Sequence, residues 1–152
     1  MATKNQTLIS LSESDKTSFS KIGFAKQSVP QKVFSAIWAV ESEVNNGGFA
    51  QYFFNDSRES AGFVVDALET IGAPQTADIC RRAIAAAFPD GLPASEEAIG
   101  SAASDFSDEV VDVLENLDQK FFSYPHDLTD LLFAFVFAHP EEFGKIPKPD
   151  DV

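Results

Sequence analysis

Cysteine is almost missing from this chain. Cys80 stands alone, so no internal disulfide can form, and a reducing cytoplasm is the simplest address. Long apolar runs are missing too. The longest, Leu131 to Ala138, has eight residues, where a membrane span needs about twenty. The opening MATKNQTLISLSESDKTSFSK holds no continuous apolar stretch and so no secretory signal core.

Positive charge is scarce. Eleven Lys and Arg face 24 Asp and Glu, a formal net charge of −13. The imbalance is uneven. Residues 1–40 hold five lysines against Glu13 and Asp15, and no basic residue stands between Arg82 and Lys120. Such a field repels nucleic acid, which is bound through Lys and Arg on phosphate, and repels anionic lipid as well. It favours basic protein surfaces.

Catalytic signatures are lacking. There is no HExxH, CxxC, GxSxG or Walker loop, and Gly47-Gly48 has no lysine after it. His126 and His139 lie at opposite ends of one expected helix. His126 and Asp130, four apart, supply at most half a metal site. Cys80 precedes Arg81 and Arg82 but shares an apolar stripe with Ala77 and Ile84, which marks a buried, inert thiol. Glu41 and Glu43 are two apart on a helix and do not face each other. The expectation is a protein with no catalytic residue, no metal ligand and no cofactor.

What the chain does have is helical periodicity. At 152 residues and 44% hydrophobic, it is one domain's worth and buries roughly 68% of its unfolded surface. Ser28 and Pro30 open a helix carrying Val33, Phe34, Ile37, Trp38, Val40 and Val44 on one side, and Asn45-Asn46-Gly47-Gly48 stops it. Phe49, Tyr52 and Phe53 give a short helix. Asp56 or Ser57 caps the next, whose apolar face is Ala61, Val64, Val65, Leu68 and Ile71 and which Gly72 ends, and Pro74 opens another that closes at Pro89-Asp90-Gly91.

Ser95 to Ala103 reads as a short helix and Ser104 to Phe122 as a long one. Asp127 caps a last helix, Leu128 to Ala138, which is apolar all round and so is expected at the centre of the protein. The prediction is an all-α, single-domain, multi-helix bundle with a central apolar C-terminal helix. Residues 1–27 are a tail or irregular cover, 28–146 the helical domain, and 147–152 a C-terminal tail.

One constellation carries a physical message. Asp105, Asp108, Glu109, Asp112, Glu115 and Asp118 fall within about half of the long helix's surface, opposite Phe106, Val113, Leu114 and Leu117. Like charges at i, i+4 cost roughly 0.2–0.5 kcal/mol per pair. The first-turn acids complement the helix dipole, but Asp112, Glu115 and Asp118 gain nothing from it. A solvated face has this look. So does an imitation of one nucleic-acid strand, which carries one charge per about 3.4 Å of axis. Glu41 and Glu43 oppose the dipole at the end of their own helix, so Lys32 or the other lysines of the leader offset them, or a partner does.

The string EVNNGGFAQYFFNDS (Glu43 to Ser57), with Trp38-Ala39-Val40-Glu41 before it and HPEEFG (His139 to Gly144) near the end, resembles a bacterial domain-of-unknown-function family named after a DNA-mimic protein. The resemblance spans roughly residues 33–144. It implies an all-helical, acidic homodimer that binds a basic protein by imitating DNA. It implies neither enzyme activity nor cofactor.

Residues and resemblance together predict a non-enzymatic acidic interaction domain. Asp105, Asp108, Glu109, Asp112, Glu115 and Asp118 would occupy the nucleic-acid site of a basic DNA-binding protein such as a transcription regulator or nucleoid protein. Two alternatives stand beside it: an immunity-type inhibitor of a toxin nuclease, and a small metal-dependent hydrolase using His126, Asp127 and Asp130.

Overall fold

The hub of the fold is a long helix that begins where a serine, a glutamine and a proline agree. In this computed structural model, which describes residues 3–144, the Ser28 hydroxyl accepts the Gln31 N–H. The Gln31 side chain accepts the Ser28 N–H in return, and Pro30 sits in the first turn. This closed capping box starts α2, Val29–Phe54. Its Val33, Phe34, Ile37, Val40 and Val44 are all but fully buried.

Around α2 the described residues form seven more α-helices and no strand. They are α1, Lys4–Ser12; α3, Val64–Thr70; α4, Pro74–Ala87; α5, Glu96–Ser104; α6, Asp108–Phe122; α7, Leu128–Phe137; and the single turn α8, Pro140–Phe143. A 3₁₀ turn, Asp56–Ser60, joins α2 to α3. α2 touches that turn and α3, α5, α6, α7 and α8, while α4 is wedged between α3 and α6. No helix among the described residues is long and apolar enough to cross a membrane.

The architecture is all-α, as the periodicity predicts, with four differences. Asn45-Asn46-Gly47 does not stop the helix. Only Gly48 leaves helical space (φ +81°, ψ 179°), and the chain resumes helix at once through Phe54. The helix expected from Ser104 starts at Asp108, because the Ser107 hydroxyl accepts the Val110 N–H while Asp105 closes α5. The helix expected to be capped by Asp56 or Ser57 starts only at Val64, because Asp56–Ser60 winds as a 3₁₀ turn instead.

The fourth difference is the largest. α7 is not central: Leu128, Leu132, Phe133 and Val136 are buried, but Phe137 is 43% exposed and Ala134 is exposed. An apolar circumference predicts burial only if enough elements surround the helix, and α7 is covered on one side by α1, α2 and α8.

Part of that cover comes from the leader. Thr3 and Gln6 close a second capping box at the start of α1, whose Leu8 and Leu11 join the core. The Lys4 ammonium lies 2.8 Å from Asp130 on α7. Past Pro140 one more turn brings Phe143 against Phe34, ring centroids 6.0 Å apart. The expected tail at 147–152, and positions 145–146 of the expected domain, lie outside the described residues.

Candidate functional site

The acidic row is a consequence of how α6 is amphipathic. Leu114, Leu117 and Phe121 are buried against the hub, and about 180° away lie Asp108, Asp112, Glu115 and Gln119. With a rise of about 1.5 Å per residue, the three acids span about 10 Å of axis. Glu109 flanks them, and Asp105 stands just before in the connector from α5. All five acids are exposed.

None of the five has an ion pair among the described residues. The ion pairs among the described residues are Lys4–Asp130, Lys21–Asp15, Arg81 with Glu69 and Asp78, and Arg82–Asp78. Lys120, on the same helix, points about 140° around the axis from Glu115. Val113, expected on the buried side, is 46% exposed at the shoulder of the row.

Asp118 does not stand with the row. It is half-buried, and its Oδ1 accepts the Phe49 N–H at 2.8 Å. Burial pushes its carboxyl above the ordinary range, opposed by the Phe49 hydrogen bond, with Glu115 adding to the rise. The chain at Gly48 breaks the helical ladder, so the N–H of Phe49 needs an outside acceptor, and Asp118 supplies it. A Cβ on Gly48 would sit 2.3 Å from Asp118 Oδ2.

The string that carries the family resemblance is therefore a joint. Glu43, before the kink, accepts from Gln51 Nε2 (2.7 Å) and Asn55 Nδ2 (3.1 Å), both after it. Asn45 donates to the Tyr124 hydroxyl at 2.6 Å. Tyr52 and Ser60 share a buried hydrogen bond of 2.7 Å, and the Ser57 hydroxyl donates to the Tyr52 carbonyl. The joint ties both halves of α2 to α6 and to the segment beyond it. Sequence reasoning found these residues but missed Asp118 as their partner, because 69 positions separate it from Phe49.

Glu41 and Glu43 need no basic neighbour, since α2 runs on past them and their partners are neutral. Lys32 instead lies 5.6 Å from the centre of the Phe24 ring. Glu41 Oε2 accepts from the Tyr124 hydroxyl at 3.0 Å. Burial raises its carboxyl, against that hydrogen bond and with help from Asp127. A raised folded value means that the stability tied to Glu41 is complete at acid pH and is lost as pH rises through that value. Glu41→Gln keeps the acceptor without the charge. It should melt above the parent at pH 7, with the gap closing by about pH 4; thermal melts that diverge on acidification would contradict this.

The hydrolase constellation is dispersed. His126 Nε2 accepts the Gln75 N–H at 3.2 Å, Asp127 caps α7 through the Asp130 N–H, and Asp130 is held by Lys4. Among the described residues no group of three or more His, Cys, Asp and Glu is placed to hold a metal. His139 bonds the Phe135 carbonyl at 2.7 Å. Cys80 is buried, its thiol pushed up to about 12 by that burial, and Arg81 and Arg82 are spent on acids.

The family model described as DMP19-like protein matches residues 25–139. No curated protein and no solved structure matches the chain.

Proposed function

The chain belongs to the DMP19-like protein family, and from that premise we propose that it is a DNA mimic acting as a non-enzymatic inhibitor. It occupies the nucleic-acid site of a basic DNA-binding protein such as a transcription regulator. The observation that carries the reading is the row itself: Asp105, Asp108, Glu109, Asp112 and Glu115 are exposed, close-set and without an ion pair among the described residues.

A row kept only for solubility has no reason to concentrate its charge. Spread charges would do the same work without the roughly 0.2–0.5 kcal/mol of repulsion at the i, i+4 pair Asp108 and Asp112. Set against a lysine- and arginine-lined groove, the same repulsion turns into attraction that steers encounter and is screened by salt. Asp118 is not part of this surface; it holds α6 in place beneath it.

The test is displacement. The immobilised chain, loaded from a bacterial extract at low salt, should retain a DNA-binding protein that duplex DNA releases. Asp112→Asn/Glu115→Gln should weaken that retention roughly tenfold, about 1.4 kcal/mol shared between two rim charges. Retention that neither duplex DNA nor the double variant alters rejects the proposal.

A further inference from the structure

Two residues beyond the end of α6 the row gives way to a recess of different character. A cleft of about 440 Å³ is lined by Glu41, Tyr124, His126, Asp127, Leu128 and Thr129. A smaller recess of about 120 Å³ shares Glu41 and Thr129 with it and reaches Trp38 and Asn45.

The aromatic wall of the cleft is fixed in advance. Tyr124 has a left-handed backbone, φ +46°, a conformation that a non-glycine residue adopts only when its surroundings hold it there. Its hydroxyl donates to Glu41 and accepts from Asn45, and its ring meets Phe121 edge-on at 5.7 Å. The ring is nonetheless 37% exposed. Its placement uses two elements, α2 and α6.

The carboxylates are half-satisfied. Glu41 Oε2 takes the Tyr124 hydroxyl and Asp127 Oδ1 takes the Asp130 N–H. The second oxygen of each has no hydrogen bond among the described residues, and neither acid has an ion pair there. The two also repel each other, since Asp127 helps to raise Glu41. His126, on the same wall, accepts the Gln75 N–H through its Nε2. Glu41 is half-buried and Asp127 stands exposed beside it, and two like charges at one recess, one of them part-desolvated, carry a cost that a cation from outside offsets.

A guanidinium fits these groups better than an ammonium. Its planar fork bridges two separate oxygens at once, and its face lies against a tyrosine ring. We propose that the cleft is a receptor for one arginine side chain of the partner, an anchor beside the broader contact of the acidic row. The assignment of that arginine to a partner protein rests on the function proposed above; the affinity of the cleft for guanidinium does not.

Trp38 is the chain's single tryptophan and lines the adjoining recess, so its fluorescence reports occupancy. Titration of the full chain with N-acetyl-arginine amide should give a saturable change in the millimolar range, with amide NMR shifts confined to Tyr124, His126 and Thr129. The neutral citrulline analogue should give none, and the lysine analogue a weaker one. Glu41→Gln keeps the Tyr124 acceptor and Asp127→Asn keeps the helix cap, so both should fold. Together they should weaken the arginine probe at least tenfold, while Asp112→Asn/Glu115→Gln leaves it unchanged. A citrulline response equal to that of arginine, or no response in either fluorescence or NMR, overturns the inference. Partner retention lost in the row variant but intact in the cleft variant overturns it too, and leaves the DNA-site reading standing.

Discussion

Gly48→Ala should destabilise the protein by about 3–5 kcal/mol and lower its melting temperature by roughly 6–20 °C. Two costs combine. The backbone at φ +81°, ψ 179° is a region that only glycine enters freely, and forcing another residue there costs on the order of 1–3 kcal/mol. The added Cβ also lands 2.3 Å from Asp118 Oδ2. The carboxylate must then withdraw, and the hydrogen bond to the Phe49 N–H goes with it, worth about 1.5–3 kcal/mol for a charged acceptor. At this chain length each kcal/mol corresponds to roughly 2–4 °C. Gly23→Ala is the control: its backbone is ordinary and nothing lies within 4 Å of the new methyl, so a change within about 0.5 kcal/mol is expected. Equal urea-unfolding free energies for the two variants would refute the account of the joint.

Phe53→Ala should cost about as much, 3–5 kcal/mol by the usual range for a buried phenylalanine. Phe53 is 1% exposed. Its ring meets Phe88 at 5.1 Å, Tyr52 at 5.4 Å, Phe49 at 6.3 Å and Phe106 at 6.4 Å. Phe88 and Phe106 close the set at 5.8 Å. The cluster thus gathers the second half of α2, the end of α4 and the connector that launches α6. Truncation removes a ring from the centre of this set, where no neighbour can move in without leaving another partner. The adjacent Phe54 is 53% exposed, and Phe54→Ala should change stability by about 0.5 kcal/mol or less. Matching losses in the two variants would mean that the cluster is not the organising core. Hydrogen exchange adds a second reading, because Phe53→Ala should speed exchange at the start of α6, where Phe106 is tied.

What the sequence reveals here is local. Ser28, Ser95 and Asp127 announce helix starts because a hydroxyl or carboxylate two or three residues before an N–H needs no help from the rest of the fold. The exposure of Asp108, Glu109, Asp112 and Glu115 follows in the same way from the helical period. The misreadings share a different cause. Glycine pairs are common at helix ends, so Gly47-Gly48 suggests a stop, and only the distant Asp118 turns it into a kink. Ser104 and Ser107 are equally good caps on paper; Phe106 inserted beside Phe53 and Phe88 decides for Ser107. α7 is apolar all round, yet nothing in its own residues reveals how many neighbours the fold provides. Asp118 belongs with the row by spacing and with the core by contact, and no rule of periodicity separates the two.

The bond from Asp118 to Phe49 also fixes the azimuth of α6. A helix held by one bolt cannot turn about its axis, so the outward heading of Asp112 and Glu115 is referenced to a point three to six residues away in chain and fastened to another helix. Substitution along the outer stripe leaves that reference untouched. A one-residue insertion or deletion between Glu115 and Asp118 swings every acid upstream by about 100°, turning a displayed edge toward the flank of the bundle. The side chains on this face are open to variation, then, while the length of chain that carries them is not.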